Sequence, residues 1–202
     1  MSKTNKDNIL YHIDCFHEHN IYLPTRSIYF GSHLESEEDI VLCRNTAQII
    51  KNLLILEKEE IAPISITLNT CGGSWDDGIA IYDIIRALKS EVTIIGVGKV
   101  YSMGSIIIQA ADVRVLTENT TFMIHDGTDG YIGDAKAFEN WAEQSKKTRQ
   151  KMYKIYYDNM YKKNKLITLK QVEKMCAQDN ILNAKEAKDL GLVDKIIKKV
   201  IK

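Results

Sequence analysis

The strongest constraint on the fold is a regular alternation of β-branched runs with segments of helical period. Residues 64–68 (ISITL) and 92–97 (VTIIGV) are rich in isoleucine, threonine and valine, as strands are. Between them, Ile79, Ile84 and Leu88 recur at helical spacing. Repeated strand–helix units of this kind predict a buried sheet covered by helices. We therefore predict an α/β fold.

The same criteria extend this pattern along most of the chain. They predict strands at 26–30, 113–116, 121–124 and 193–197, and helices at 36–57, 76–88, 102–111, 134–161 and beginning at Thr168 and Asn183. Residues 1–24 are polar and show no clear period, so we interpret them as an irregular N-terminal arm. The remaining residues, 25–202, are expected to form one domain.

Charge and hydropathy exclude several classes of protein. The 202 residues carry 27 Lys and Arg against 27 Asp and Glu. Residues 1–145 hold 11 basic and 21 acidic side chains (11 − 21 = −10), and residues 146–202 hold 16 and 6 (16 − 6 = +10). This balance does not predict a uniformly basic nucleic-acid-binding face. The apolar runs are too short to span a bilayer and no export signal opens the chain, so we expect a cytoplasmic protein without membrane association.

The cysteines and histidines do not predict a metal site. The four cysteines have no CxxC spacing, and a reducing compartment would keep them as thiols. His12, Cys15, His17 and His19 form a cluster in the arm, but their irregular spacing favours a solvated surface over metal ligation. No Walker motif is present, and we expect neither a metal nor another cofactor.

The predicted helix at 134–161 is unusually long. Its 28 residues would extend roughly 42 Å at 1.5 Å per residue. Phe138, Trp141, Met152 and Ile155 form an apolar stripe along it. The stripe fits a helix that protrudes and packs against another subunit, and it fits equally well a helix that packs along its own domain.

Two local features combine small residues with the ends of predicted strands. Gly72 and Gly73 lie in a turn between a strand and a helix, where missing side chains let an extended peptide approach closely. A simple tight turn would explain them as well. Ser102 stands where an apolar helix begins, so it is either an N-cap or a nucleophile with the Met103 N–H beside it.

A serine nucleophile needs a base, and the sequence offers few. His125 ends the apolar run 122–124 and is the only histidine beyond residue 33, so a base within the α/β body would have to be this residue. Asp179 lies in a predicted loop between two C-terminal helices, where a solvated acid is the ordinary interpretation. In a catalytic triad an aspartate orients the imidazole and stabilises its protonated form.

Taken in order, these segments resemble the proteolytic subunit of the Clp protease, a serine peptidase family. The resemblance covers roughly residues 26–197. The segments that carry it are 69–74 (NTCGGS), 78–83 (GIAIYD), 101–105 (YSMGS), 122–125 (FMIH), Asp179, 183–187 (NAKEA) and 191–194 (GLVD).

The resemblance implies a role for each candidate residue. It makes Ser102 the nucleophile, His125 the general base and then acid, and Asp179 the orienting carboxylate. The backbone N–H groups of Gly73 and Met103 would form the oxyanion hole. Gly72, Gly73 and Ser74 would form the strand that pairs with substrate.

The resemblance also implies an assembly. It predicts a crotonase-like, ClpP-like fold with a protruding handle helix at about 134–161, and a homo-oligomer built from heptameric rings that stack in pairs around a chamber. A separate AAA+ unfoldase would feed unfolded polypeptides into that chamber, so the chain itself would need no ATP.

The sequence departs from the family pattern at several positions. Cys71 replaces a usual proline, Gln178 replaces an arginine used in ring-to-ring contacts, and Asp126 and Gly127 follow His125 in place of Gln-Pro. These departures favour a divergent, phage-type member. Cys71 and Gln178 also keep open a catalytically degenerate scaffold or regulatory subunit. A capsid-maturation protease and a crotonase-type acyl-CoA enzyme remain open as well, because they share the fold class.

Overall fold

The computed structural model describes residues 3–31, 40–41 and 43–199. The elements along these residues, in chain order, are α1 (Lys3–His19), β1 (Ile21–Tyr22), β2 (Ser27–Gly31), β3 (Ile40–Val41), α2 (Cys43–Glu59), β4 (Ile64–Thr70), β5 (Gly72–Gly73), α3 (Trp75–Ala87), β6 (Val92–Tyr101), α4 (Met103–Ile107), β7 (Val113–Thr117), β8 (Thr121–Ile124), α5 (Ala135–Lys163), α6 (Leu169–Cys176), β9 (Asn180–Asn183), α7 (Ala184–Asp189) and β10 (Lys195–Ile197). The predicted α/β fold is confirmed. The predicted start of a helix at Ser36 lies outside the described residues.

The main sheet is built around one long central strand. The order is β1-β2-β4-β6-β7-β10, with β1 antiparallel to β2 and the other neighbours parallel. β6 pairs with β7 along Thr93–Gly96 and then with β8 along Lys99–Tyr101. Strand β6 extends four residues beyond the predicted end at residue 97. The far end of β6 therefore pairs with β8, and β8 in turn pairs antiparallel with β9.

The core lies between this sheet and the helices that join its strands. Along β4 every second residue is buried, with Ile64, Ile66 and Leu68 at 1% exposure or less. Leu53 and Leu56 of α2 and Ile81 of α3 are fully buried and belong to the same apolar cluster. Burial of this many aliphatic side chains, at about 25 cal/mol per Å² of apolar surface, supplies the main force that holds the layers together.

The predicted handle helix is confirmed as α5, and its two halves differ in environment. Met152, Tyr153, Tyr156, Asn159 and Met160 are buried, all in the second half. Side chains of the first half are partly or fully exposed. The helix thus packs along its own domain through its second half and leaves its first half uncovered. Packing along its own domain, one of the two arrangements left open by the apolar stripe, therefore applies to the second half, and packing against another subunit stays a prediction for the first half.

The prediction of an irregular N-terminal arm is wrong for residues 3–19, which form α1. Ile9, Ile13 and Phe16 recur at helical spacing, a period that the many polar residues around them conceal. Cys15 packs against the core, and the Phe16 ring lies 6.2 Å from the ring of Tyr22. Contact with the body thus stabilises a helix of weak intrinsic propensity.

Candidate active site

Adjacent parallel strands bring Ser102 and His125 to one edge of the sheet. β6 and β8 are parallel, with Tyr101 opposite Met123. Ser102 directly follows β6, and His125 directly follows β8. The N–H of Ser102 donates to the carbonyl of Met123 at 2.9 Å. The carboxyl ends of parallel strands are the usual place for a functional site in an open α/β sheet, and both side chains lie there.

An antiparallel pairing brings Asp179 to the same edge. Ile124 of β8 lies opposite Asn180 of β9, so the next pair in this register is His125 and Asp179. The sequence analysis missed β9 and placed Asp179 in a loop between two helices. It lies instead at the entry to a strand, and the pairing explains how an acid 54 residues away meets the histidine.

The three side chains form a continuous hydrogen-bonded row. His125 Nε2 lies 2.7 Å from Ser102 Oγ, and His125 Nδ1 lies 2.8 Å from Asp179 Oδ1. A carboxylate only accepts hydrogen bonds, so Nδ1 carries the proton and Nε2 accepts from the serine hydroxyl. The His125 side chain is 20% exposed and that of Asp179 is 70% exposed. The structure thus brings together the three residues named from the sequence as a triad.

Ser102 adopts a strained backbone conformation. Its φ is 51° and its ψ is −119°, a region that residues with a side chain rarely occupy. Although Ser102 stands in the N-cap position of α4, its side chain makes no capping hydrogen bond. The hydroxyl points to His125 instead, which disfavours the interpretation of Ser102 as a simple N-cap. Strain of about 1–3 kcal/mol at such a residue persists only where the surroundings enforce it, as at functional sites.

Gly72 lies directly against the serine turn. Its φ is +104°, and a Cβ on it would come within 2.6 Å of the Ser102 Cβ and 3.0 Å of the Met103 N. Glycine is therefore required here by both conformation and space. Gly73 (φ +144°) is exposed, and together these glycines form β5, which pairs with β3.

Ser74 departs from the predicted substrate strand. β5 ends at Gly73, and Ser74 is the N-cap of α3, with its Oγ accepting from the Asp77 N–H at 3.3 Å. The first turn of a helix leaves N–H groups without partners, and a serine hydroxyl satisfies one of them. The segment that presents an edge beside Ser102 is therefore the pair of glycines alone.

A cavity of about 690 Å³ opens beside the triad. Ser102 and His125 line it together with Trp141 and Arg149 of α5 and the acids Asp126 and Asp129. None of these last four was predicted as a lining residue, because the handle helix and the loop after β8 meet only in the tertiary structure. No local sequence signal marks that meeting.

The carboxylate beside the histidine is held away from it. Asp126 Oδ1 accepts from the Tyr153 hydroxyl at 2.7 Å, and the Asp126 N–H donates to the Cys176 carbonyl at 2.7 Å. Burial and the nearby Asp126 raise the pKa of the Tyr153 hydroxyl well above its ordinary value, so it remains a donor. Burial, with Asp126 adding to it, raises the pKa of the Cys176 thiol to about 12, so that thiol stays protonated.

Among the side chains of the described residues, no group of three His, Cys, Asp or Glu is arranged to hold a metal ion. None of the helices described combines the length and apolarity needed to cross a membrane.

Comparison with known proteins identifies the family and the fold. The family model described as Clp protease matches residues 23–200. The chain belongs to the Clp protease family. A solved structure of a ClpP1 mutant from Listeria monocytogenes is similar over 88% of this chain and 94% of that one, with 27% identity and a TM-score of 0.76. The fold is therefore ClpP-like and the family is one of peptidases. Members of the Clp protease family form ring oligomers with AAA+ partners.

Proposed function

We propose that this Clp protease family member is a serine endopeptidase that uses Ser102, His125 and Asp179. The observation that carries the proposal is the row of hydrogen bonds from Ser102 Oγ through His125 to Asp179, at 2.7 and 2.8 Å. A serine hydroxyl is a poor nucleophile until a base takes its proton, and this row supplies the base and its orienting group.

The reaction follows from the positions of the protons. Ser102 Oγ attacks the peptide carbonyl while His125 Nε2 takes the hydroxyl proton, and Asp179 stabilises the imidazolium. His125 then gives that proton to the leaving amine, the C–N bond breaks, and an acyl-enzyme remains. A water molecule, deprotonated by the same histidine, releases the acid and restores Ser102.

The negative charge that develops on the carbonyl oxygen needs donors beside the serine. The N–H groups of Met103 and Gly73 are the proposed oxyanion hole. Met103 begins α4, whose amino end is favourable for negative charge, and Gly73 is proposed as the second donor because it directly follows Gly72, which lies against the serine turn. Donors fixed in advance in this way are usually the largest contribution to such catalysis.

We propose further that the chain acts on unfolded polypeptides inside a chamber of stacked heptameric rings fed by an AAA+ unfoldase. The uncovered first half of α5 supports contact between subunits. Near its start, the rings of Tyr131, Phe138 and Trp141 lie 5.8–6.4 Å from one another, and Ile132 beside them is fully exposed. Aromatic clusters of this kind are typical of protein interfaces. In this proposal residues 25–202 form the protease domain, and residues 1–24 form an N-terminal segment that packs against it through α1 and β1.

Covalent labelling tests the nucleophile directly. A fluorophosphonate should modify Ser102 and abolish peptide hydrolysis, and Ser102→Ala should lower kcat/KM by about 10⁴-fold or more without changing the melting temperature appreciably. Peptide mapping by mass spectrometry identifies the modified residue.

The same experiment separates the other functions. Folded wild-type protein that resists labelling and cleaves no peptide, with unfoldase present, would support a degenerate scaffold and overturn the proposal. Thioester turnover that survives Ser102→Ala would indicate an acyl-CoA enzyme. Cleavage confined to one scaffold protein would indicate a maturation protease.

A further inference from the structure

The carbonyl oxygen of Ser102 is bound from the buried side of the serine turn. It accepts two hydrogen bonds from one residue, Ser105: the backbone N–H at 2.9 Å and the side-chain Oγ at 2.6 Å. The backbone bond spans three residues, as in a 3-10 turn at a helix end, whereas the hydroxyl bond is an addition. Ser105 itself is fully buried.

A second buried hydroxyl, that of Tyr156, is hydrogen-bonded to the Ser105 hydroxyl. Tyr156 Oη lies 2.6 Å from Ser105 Oγ, and Tyr156 is fully buried in the second half of α5. A serine hydroxyl has one proton, and Ser105 donates it to the Ser102 carbonyl, so the proton between the two hydroxyls comes from Tyr156. Burial raises the pKa of the Tyr156 hydroxyl well above its ordinary value, which keeps that proton in place. The direction of the relay is therefore Tyr156 to Ser105 to the Ser102 carbonyl.

The Ser102 carbonyl and the Met103 N–H belong to the same peptide unit. That unit is planar and trans, so its C=O and N–H point in opposite directions. A carbonyl held toward Ser105 and Tyr156 on the buried side therefore directs the Met103 N–H toward the opposite side. We propose that Ser105 and Tyr156 are positioning residues. Through the hydrogen bonds to the Ser102 carbonyl, they fix the orientation of the Met103 N–H and polarise it as the oxyanion-hole donor.

The strain in the serine turn explains why such a restraint is needed. Ser102 has φ 51° and ψ −119°, and rotation of the peptide unit that follows would relieve this conformation and turn the Met103 N–H away from the substrate. Two hydrogen bonds to the carbonyl oppose that rotation. A hydrogen bond to a carbonyl also strengthens its amide as a donor, because bonds in a chain polarise one another.

The relay also connects the handle helix to the chemistry. Asn159, three residues after Tyr156 on α5, donates to Gln109 Oε1 at 3.1 Å, and Gln109 donates to the Ser105 carbonyl at 2.9 Å. Two side chains on one face of α5 thus attach to the segment that follows Ser102. A shift of the second half of α5 would therefore act on the oxyanion-hole donor through these contacts.

The test compares Tyr156→Phe and Ser105→Ala with the wild-type protein, and it rests on the proposed serine peptidase function. Both variants should lower kcat about 10-fold with little change in KM. This loss in kcat is smaller than the roughly 10²–10³-fold loss that follows when an oxyanion-hole donor is removed outright. The Ki of a peptide boronate, which places an oxygen in the oxyanion hole, should rise by the same factor. The double variant should lose no more than Ser105→Ala alone, because both changes interrupt one relay.

Thr117→Val is the matched control. It removes a hydroxyl–hydroxyl bond of the same kind, from Thr117 to Thr120 at 2.7 Å, away from the serine turn. It should leave kcat and the boronate Ki unchanged, and thermal melting should show all the variants folded. Wild-type kcat and boronate Ki in folded Tyr156→Phe and Ser105→Ala would overturn the inference while leaving the peptidase function intact. An inactive, unlabelled wild-type protein would overturn both.

Discussion

At the scale of single residues, the site depends on the missing side chain of Gly72 as well as on the side chains of the triad. The triad provides the reacting groups, but the Ser102 turn has space only because Gly72 carries no side chain. Cys71, directly before it, is half-buried where the family usually has a proline.

Gly72→Ala tests that contact. The added Cβ would lie 2.6 Å from the Ser102 Cβ in a backbone conformation that alanine rarely adopts, so the serine turn must shift. Because a displacement of about 1 Å at a reacting group costs roughly 100-fold, we expect kcat/KM for a peptide to fall by at least that factor.

Gly130→Ala is the control for this substitution. A Cβ on Gly130 would meet no described atom within 4 Å, and its φ is outside the positive range. Near-wild-type activity for Gly130→Ala is expected. Equal activities for the two alanine variants would contradict the requirement for glycine beside the serine.

At the scale of elements, an ion pair between buried Arg114 and partly exposed Asp194 joins the last strand to the sheet. Arg114 of β7 is 7% exposed and donates to both carboxylate oxygens of Asp194, at 2.6 Å and 3.1 Å, while the Asp194 N–H donates to the Arg114 carbonyl at 2.8 Å. Asp194 directly precedes β10, which pairs with β7. The pair therefore sets the position at which the C-terminal strand joins the sheet.

The stability that this pair contributes depends on pH. Burial opposes ionisation of Asp194, but the hydrogen bonds from Arg114 outweigh it and hold the pKa of this carboxyl below its ordinary value of 3.8. The contribution is thus complete above pH 3.8 and is lost as the pH falls through the lower pKa of the folded state. Asp194→Asn should lower the free energy of unfolding by about 2 kcal/mol at pH 7, after allowance for partial exposure, and by progressively less below pH 3.8.

Denaturant unfolding at several pH values measures this difference. Asp158→Asn, which breaks an exposed pair with Lys154 on α5, is the control and should change stability by about 0.5 kcal/mol or less. A stability difference for Asp194→Asn that stays constant down to pH 2 would show that Asp194 does not act through its charge.

At the scale of the whole molecule, the zero net charge conceals two pools of opposite sign. The net charge is −10 over residues 1–145 and +10 over residues 146–202. The boundary between these two pools lies inside α5, so they are not separate domains. The basic pool includes the buried half of the handle and the C-terminal elements. We infer that the acidic and basic surfaces of neighbouring subunits attract each other in the proposed ring.

Salt dependence tests this inference. Raising the salt concentration from about 0.1 M to 1 M shortens the Debye length from about 10 Å to 3 Å, so the oligomer should dissociate while each subunit stays folded. Sedimentation velocity reports the size of the assembly and far-UV circular dichroism reports the fold. An oligomer of constant size over this range would contradict an electrostatic contribution to assembly.

Much of the fold could be predicted because its signals are local. Each of these signals lies within a short stretch of sequence. They are the β-branched runs at β4, β7 and β8, the caps at Thr168 and Asn183, and the helical period along α5. The nucleophile and base could be named for the same reason: Ser102 and His125 each follow a recognisable strand. The irregular arm was a wrong prediction, because α1 depends on contacts with Tyr22 that no short window of sequence contains.

The tertiary structure alone decided how these parts meet. The sequence by itself determined the alternation of elements, the family and the candidate residues, since each is written in short segments. The register of β8 against β9 set Asp179 beside His125, and the packing of α5 set Tyr156 behind Ser105. Both are contacts between residues more than 50 positions apart, and their geometry depends on how whole layers pack, which no local pattern of residues records.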